Sequence, residues 1–326
     1  MKDEEELPRG DEPEYGPPFT KGTEIMALKI TKSSDPIEVK QITVVLYSPP
    51  GLGKTTLGFT ADRPLLLDFD HGAYRAGNRG DTVQVESWAD VVSIGASDVS
   101  AYKTLVVDTA GRALDWLSAD IIASNPKHGR GGALTLQGFG ELKARFIAWT
   151  KLMRSFGLDV VLICHSDEQR QGDDVIERLD MQGGSKNEIY KSADLMGRLS
   201  LVQGKRVLNF SPTDTAFGKN PAQLPPLEVP DFTREPHFLA GVIARVKEAL
   251  NAQSVEQQQV AGMLADWQAK IEEAATAEDF SGLVPAAKEA DARVRDNVKR
   301  LIVSAAKRKG LAFNAKDGTF SPVRAA

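Results

Sequence analysis

The sequence predicts an α/β fold: a mostly parallel sheet covered by helices on both faces, followed by a C-terminal α-helical region. Extended apolar runs alternate with helical spacing up to about residue 231, and the first run ends in a glycine-rich turn. Beyond residue 232 only helical patterns occur, and their apolar stripes predict three amphipathic helices, around 242–250, 260–271 and 294–302. We therefore divide the chain into a disordered acidic tail (1–24), an α/β domain (25–231) and a helical C-terminal region (232–326).

The sheet is predicted from continuous apolar runs, which are typical of parallel strands buried on both faces. Helical spacing separates the runs; Leu142, Phe146, Trp149 and Met153, for example, recur at steps of four, three and four. Such alternation implies right-handed crossovers and a ligand site at the carboxyl ends of the strands. The predicted strands are 39–47, 64–69, 82–86, 103–109 and 159–164, then a hairpin within 166–188 and two strands around Gly204.

Composition limits the classes of protein. A hydrophobic content of 41% and a charged content of 26% are ordinary for a globular protein. The net charge of -5 argues against a protein that coats nucleic acid by bulk charge. Cys164 is the single cysteine, so no internal disulfide can form. No apolar run reaches the length of a membrane span, and we expect a cytoplasmic protein without a membrane partner.

The turn after the first strand has the composition of a phosphate-binding loop. It lies within residues 42–56, ITVVLYSPPGLGKTT. Lys54 is expected to neutralise the β- and γ-phosphate oxygens of ATP, and the Thr55 hydroxyl to ligate Mg²⁺. Ser48 stands where such loops usually have their first glycine, so the prolines that follow must shape the opening turn. The predicted cofactor-binding residues are Pro50, Gly51, Leu52, Gly53, Lys54, Thr55 and Thr56.

Acids at two predicted strand ends complete the expected site. Asp108 follows three apolar residues and is predicted to hold Mg²⁺ together with Thr55. Asp68 and Asp70 end the run PLLLDFD, and either could orient the attacking water. We prefer Asp70 as the catalytic carboxylate, because it lies further out, where the γ-phosphate would sit.

His165 ends the strand VVLICHSD, where a side chain could respond to the γ-phosphate and influence the following loop. Ser166 is the alternative. The predicted catalytic residues are therefore Lys54, Asp70 and His165.

The order of these features resembles the RecA-type ATPase core, in particular the phage-encoded RecA-like ATPases (RecA-like AAA domain) of single-strand annealing and recombination. In that family an acid followed by histidine is the catalytic carboxylate. DFDH resembles this pattern, with Asp70 in place of the usual glutamate. His165 corresponds by position to the family's glutamine switch. The segment MQGGSKNEIY resembles the opening of the helix after the family's second DNA loop.

The resemblance implies single-stranded DNA as a partner, bound by the loops 125–138 and 166–185. It also implies a homo-oligomer, either a ring or a filament. ATP would bind between subunits, and a basic residue of the neighbouring subunit would reach the ATP. A single-strand-binding protein is a further candidate partner, and a phage-encoded protein would act in the host cytoplasm. The candidates for DNA contact are Lys127, Arg130, Arg170 and Lys186. The candidates for the trans-acting residue, which contacts ATP bound to the neighbouring subunit, are Lys186 and Lys219.

Two other functions stay open. A P-loop small-molecule kinase would use the glycine- and arginine-containing loop 129–132 as a lid. A nucleotide-regulated interaction module without turnover would follow if Asp70 faced solvent. The C-terminal helix with Arg293, Lys299, Lys307 and further basic residues is either a solvated face or a nucleic-acid contact.

Overall fold

The computed structural model describes residues 31–32, 35–171, 174–181 and 185–323, so the predicted tail over 1–24 lies outside the described residues. The strands are β1 (Thr43–Ser48), β2 (Pro64–Asp68), β3 (Thr82–Gln84), β4 (Thr104–Asp108), β5 (Gly129–Arg130), β6 (Ala133–Leu134), β7 (Asp159–Gln171), β8 (Asp174–Leu179), β9 (Leu195–Val202), β10 (Lys205–Asn209), β11 (Leu227–Glu228), β12 (Leu311–Asn314) and β13 (Thr319–Pro322). The helices are α1 (Lys54–Gly58), α2 (Trp88–Val92), α3 (Ala110–Ser124), α4 (Leu136–Ser155), α5 (Ser185–Ser192), α6 (Phe238–Glu273), α7 (Ala277–Lys288) and α8 (Arg295–Arg308).

The central sheet confirms the predicted α/β fold. Its strands lie in the order β3-β2-β4-β7-β1-β9-β10-β11. The first six are parallel, whereas β10 and β11 are antiparallel and β8 pairs with the outer half of β7. The register aligns Ser48 with His165 and Asp68 with Asp108. The carboxyl ends of β1, β2 and β4 therefore meet the middle of β7, at His165, on one edge of the sheet.

Alternate residues of the strands face two cores, which explains their continuous apolar sequence. Val45 and Tyr47 belong to one cluster with α3 and α4, while Val44 and Leu46 belong to a second with α1 and the start of α6. Every residue of β1 is buried. The strand that precedes the glycine-rich loop is thus held on both faces.

Glycine residues form the tight turns between several of these elements. The segment after α3 forms a 3-10 turn and the hairpin β5–β6, closed by Gly131 and Gly132 at φ 59° and 82°. The predicted hairpin within 166–188 is confirmed as β7–β8. The predicted strand pair around Gly204 is confirmed as β9–β10.

The C-terminal region differs from the prediction in three elements. Two predicted amphipathic helices form the single 36-residue helix α6, because no glycine–proline stop separates them. Helix α7 contains Pro285, a residue that disfavours a helix interior and obscures its pattern. The expectation of no strand beyond residue 232 is wrong, since β12 and β13 pair there. Four-residue strands are too short for an alternating pattern to stand out.

The C-terminal elements build a third core. Phe280 of α7, Val298 and Ile302 of α8, Phe320 of β13 and Ile271 near the end of α6 pack together. The first turns of α6 pack instead on the α/β domain through Leu239, Val242, Ile243 and Val246. Among the described residues, no helix is long and apolar enough to cross a membrane.

Candidate functional site

The glycine-rich loop joins β1 to α1 at the edge of the sheet where the polar strand ends meet. Gly51 and Gly53 have φ of 84° and 82°, the left-handed region that glycine enters without strain. A Cβ at Gly53 would lie 2.7 Å from Nη1 of Arg206. Glycine is therefore favoured there by conformation, whereas Nη1 is the end of a flexible side chain that could move aside.

Ser48, the residue in place of the usual glycine, has a direct contact with the loop lysine. It is buried at the end of β1, its Oγ accepts a hydrogen bond from Nζ of Lys54 at 3.0 Å, and it donates to the carbonyl of Pro49 at 2.8 Å. The Ser48 side chain is thus a hydrogen-bond partner of Lys54 at a position where glycine has no side chain.

Lys54 lies inside the loop, with 5% of its surface exposed. Its ammonium donates to the carbonyl oxygens of Ser48 and Pro49, each at 2.9 Å. Burial lowers the pKa of Lys54 to about 8, and the charge of Asp108 opposes this shift. The lysine is a partly desolvated cation that a phosphate group would stabilise.

Thr55 and Asp108 form a pair of oxygen donors beside the lysine. The Thr55 hydroxyl donates to Oδ2 of Asp108 at 2.6 Å. Burial raises the pKa of Asp108 to about 6, the hydrogen bond from Thr55 lowers it, and Asp70 and Asp68 raise it further.

This pair fits Mg²⁺, because a desolvated carboxylate next to a hydroxyl is a typical partial ligand set for that ion. The described residues contain no group of three or more His, Cys, Asp or Glu side chains that could hold a metal by themselves. Phosphate oxygens and water would therefore have to complete the coordination.

The two candidate carboxylates after β2 have different surroundings. Both oxygens of Asp68 accept backbone N–H groups, from Gly72 at 3.0 Å and Ala73 at 2.9 Å. Asp68 therefore holds the turn that follows the strand. Asp70 instead accepts a hydrogen bond from Oγ1 of Thr109 at 3.3 Å, and Nε of Arg112 lies 3.3 Å from its Oδ1. This difference favours Asp70 for the predicted catalytic role.

His165 lies on β7, between β1, which leads into the loop of Lys54, and β4, which ends at Asp108. Its Nδ1 is 3.4 Å from Nζ of Lys54. Burial, and then the charge of Lys54, lowers the pKa of His165, so the neutral imidazole is favoured. Its carbonyl accepts the N–H of Asp180, just after β8, at 2.9 Å. His165 thus joins the loop lysine to the β7–β8 hairpin. Ser166, the alternative, pairs with Leu179 inside the hairpin.

One cavity brings the predicted residues together. Its volume of about 410 Å³ is in the range of small-molecule sites. Leu52 of the predicted set packs against the core beside β1. A second cavity of about 260 Å³ shares Thr109 and His165 with the first and extends to Asp180. The first cavity is lined by Pro50, Gly51, Gly53, Lys54, Thr55, Thr56, Asp70, Gly72, Arg75, Ala76, Asp108, Thr109 and His165.

Sequence reasoning missed Arg75, Thr109 and Arg112. Thr109 follows Asp108 directly, and Arg112 lies one helical turn later, so their position after a predicted metal-side acid was an available signal. Arg75 lies five residues after Asp70 on a 3-10 turn, which has no sequence pattern of its own.

Of the predicted DNA and trans-acting residues, those with described side chains lie outside the first cavity. Lys127, Arg130 and Arg170 are exposed, the first two on the turn and hairpin after α3 and the third on β7. Lys219 donates to the carbonyls of Lys191, at 3.3 Å, and Ala193, at the end of α5. Lys186 is in α5, but its side chain is outside the described residues. Both trans-acting roles stay predictions.

Comparison with known proteins matches residues 40–222 to the family described as AAA domain. A similar solved structure is a KaiC-like protein from the hyperthermophilic archaeon Pyrococcus horikoshii OT3, with 13% identity. The match covers 52% of this chain and 78% of that chain, with a TM-score of 0.32. No curated protein matches the chain. The family match spans more than half of the chain and contains Lys54, Asp70, Asp108 and His165, and the chain therefore belongs to the AAA domain family of P-loop ATPases.

Proposed function

We propose that this P-loop ATPase uses ATP hydrolysis to control its binding to single-stranded DNA. It would act as a homo-oligomer in phage recombination or annealing. The observation that carries the proposal is the position of His165. Its side chain lines the nucleotide cavity and approaches Lys54, while its strand continues into the hairpin that bears Arg170. A change at the γ-phosphate would reach the hairpin through one continuous strand.

The residues of the cavity support hydrolysis within this proposal. Lys54 would bind β- and γ-phosphate oxygens, and Thr55 and Asp108 would hold Mg²⁺, which neutralises charge that develops on the phosphates. Asp70 would accept a proton from the attacking water as the water oxygen bonds to the γ-phosphorus and the bond to the β-phosphate oxygen breaks. Thr109 and Arg112 hold the Asp70 carboxylate in place for this step.

The exposed basic residues Lys127, Arg130 and Arg170 are the proposed contacts with single-stranded DNA, mainly through phosphates. His128 of the same turn is held by Glu141, 2.7 Å from its Nδ1, and is less available. Lys219 would act across a subunit junction only by leaving the end of α5.

A small-molecule kinase is the second candidate, because the second cavity adjoins the first at Thr109 and His165 and could receive a phosphoryl acceptor. Against it, none of residues 129–132, all described, lines either cavity. The loop expected to be the lid packs as a hairpin against α3 and α4. A module without turnover is disfavoured, since Asp70 lines the nucleotide cavity.

The test is the rate of phosphate release from ATP with and without single-stranded DNA. We expect stimulation by DNA, its loss in Asp70→Asn with ATP binding retained, and loss of ATP binding in Lys54→Ala. Asp266→Asn, an exposed acid on α6, is the matched control and should behave as the parent. Transfer of phosphate to a metabolite would support the kinase instead, and ATP binding without turnover in the parent would contradict hydrolysis.

A further inference from the structure

Helix α8 has two chemically different faces. Val298, Ile302, Ala305 and Ala306 are buried in the C-terminal core. The opposite face is exposed and contains no acid after the first turn. Its exposed residues are Lys299, Arg300, Val303, Ser304, Lys307 and Arg308.

Positive charge is concentrated here in a chain whose net charge is -5. Residues 293–309 contain seven basic side chains and one acid, Asp296. A surface helix of a globular protein usually carries both signs, which keeps its local potential low. The face of α8 therefore stands out against the charge of the rest of the molecule.

Three of the seven basic residues have structural partners. Arg293 pairs with Asp291 at 2.8 Å, Nε of Arg295 donates to the carbonyl of Ala290 at 3.0 Å, and Lys309 donates to the carbonyl of Ala274. These contacts join α8 to its neighbouring segments, so these three charges are explained by the fold.

The other four are not held to a neighbouring segment of the described chain. Nε of Arg300 donates to the carbonyl of Asp296 at 3.4 Å, within the same helix. Lys299 lies 3.5 Å from Asp296, an exposed pair that contributes little. Arg300, Lys307 and Arg308 form no ion pair with any acid in the described part of the chain. Four exposed cations are thus left over after the helix has packed.

These four charges lie on the exposed half of α8. At about 100° per residue, Lys299 and Arg308 lie about 180° apart, on the two flanks of the exposed half of α8. Arg300, Ser304 and Lys307 lie between these flanks. From Lys299 to Lys307 the face spans about 12 Å, at a rise of about 1.5 Å per residue. Ser304 between them adds a hydroxyl that can bond a phosphate oxygen.

We propose that this face of α8 binds double-helical DNA, with the cations on the phosphate backbone and the helix at the major groove. A polyanion is the favoured partner, because four exposed cations lie on this face and, in the described part of the chain, only Lys299 forms an ion pair, which is itself exposed. A helix about 10–12 Å across matches a major groove about 12 Å wide. The groove of duplex RNA is too narrow for a helix. The face has no aromatic side chain on which single-stranded bases could stack.

This binding site is separate from the nucleotide cavity. None of the described residues that line the cavity belongs to α8, and α8 packs in a core of its own. Duplex binding through α8 therefore requires neither ATP nor the loops proposed to hold single-stranded DNA, and it does not rest on the proposed function.

The test uses the full chain and a fluorescent mixed-sequence duplex of about 30 base pairs, close to three helical turns. Binding is measured by anisotropy over a range of salt concentrations without nucleotide. The variant replaces Lys299, Arg300, Lys307 and Arg308 with Gln. The matched control replaces Lys103, Arg234, Arg245 and Lys288, which are also exposed, with Gln. Circular dichroism checks that both variants fold.

We expect the α8 variant to lose more than about tenfold in duplex affinity at physiological salt, because about four phosphate contacts are removed. The slope of log affinity against log salt should fall by about three to four. The control should bind as the parent does, and the ATPase rate of both variants should be unchanged.

Equal losses in the two variants would overturn the proposal, since bulk charge would then explain binding. So would an α8 variant whose affinity for a single strand of the same length falls as much as its affinity for the duplex. Binding of anionic lipid vesicles or of an acidic protein through α8, in place of duplex, would also overturn it.

Discussion

At the scale of one residue, the pKa of Lys54 shows that its surroundings favour an anionic ligand. The ammonium already has three oxygen partners from Ser48 and Pro49, yet burial still lowers its pKa to about 8. Neutral acceptors do not replace the lost solvation of a charge as well as an anion does. An incoming phosphate should therefore raise the pKa of Lys54 towards that of an ordinary lysine.

We predict that ATP binding takes up a proton in mildly alkaline solution. At a pH of about 8.5 most free protein would carry neutral Lys54, so binding should take up about half a proton or more per nucleotide. At a pH of about 7 the lysine is already mostly charged, and its uptake should fall to about a tenth of a proton. Calorimetric titration in two buffers of different ionisation enthalpy measures this number.

The control for this prediction is Lys54→Arg, because a guanidinium stays charged at both values of pH. Any ATP binding by that variant should lack the alkaline proton uptake. The same uptake at both values of pH in the parent, or its persistence in Lys54→Arg, would show that another group titrates.

At the scale of elements, an ion pair joins helix α6 to the sheet. Nζ of Lys247 is 2.6 Å from Oδ2 of Asp159, and Oδ1 of Asp159 accepts the N–H of Ile42 at 2.8 Å. The Asp159 side chain is only 8% exposed. Burial raises the pKa of Asp159, while the hydrogen bond from Lys247 lowers it. The pair thus connects α6 to the first residue of β7.

We predict that Lys247→Ala destabilises the α/β domain by about 2–3 kcal/mol at neutral pH, because a buried carboxylate loses its cation. The pKa of Asp159 would rise further in the variant. Protonation would then relieve the penalty, so the loss relative to the parent should shrink as the pH falls through that pKa. Urea unfolding at a pH of about 7 and of about 4.5 measures both effects.

Arg245→Ala, an exposed residue on the same helix, is the control and should change stability by less than about 0.5 kcal/mol. An equal loss at both values of pH in Lys247→Ala would mean that packing of the lysine stem, and not its charge, accounts for the effect.

The same scale shows what the sequence could predict. Asp108 and His165 were found because parallel strands bring their carboxyl ends to one edge, so a polar residue after a buried run has a known place. The partners of Asp70 were not found, because Thr109 and Arg112 reach it from another strand end and helix. The length of α6 was missed because its apolar stripe changes partner along the helix, from the α/β core to the C-terminal core.

At the scale of the whole molecule, the chain has two kinds of folding unit. The sheet has cores on both faces, and the C-terminal core is formed by the end of α6, by α7 and α8, and by the hairpin β12–β13. Three of the four tryptophans pack in the α/β domain, and Trp267 alone packs against the C-terminal core. Tryptophan fluorescence can therefore follow the two parts separately.

We predict that Phe280→Ala unfolds the C-terminal core at lower temperature without weakening ATP binding. Phe280 is fully buried and its ring centroid is 5.8 Å from that of Phe320, so truncation should cost about 3–5 kcal/mol. The fluorescence change of this low-temperature transition should come from Trp267, so it should disappear when Trp267→Phe is added.

Phe210→Ala is the control, because Phe210 is equally buried but lies in the core beside β1. It should lower ATP affinity and leave the fluorescence change of Trp267 where it is in the parent. A single transition shifted equally by both substitutions would mean that α6 couples the two parts into one cooperative unit.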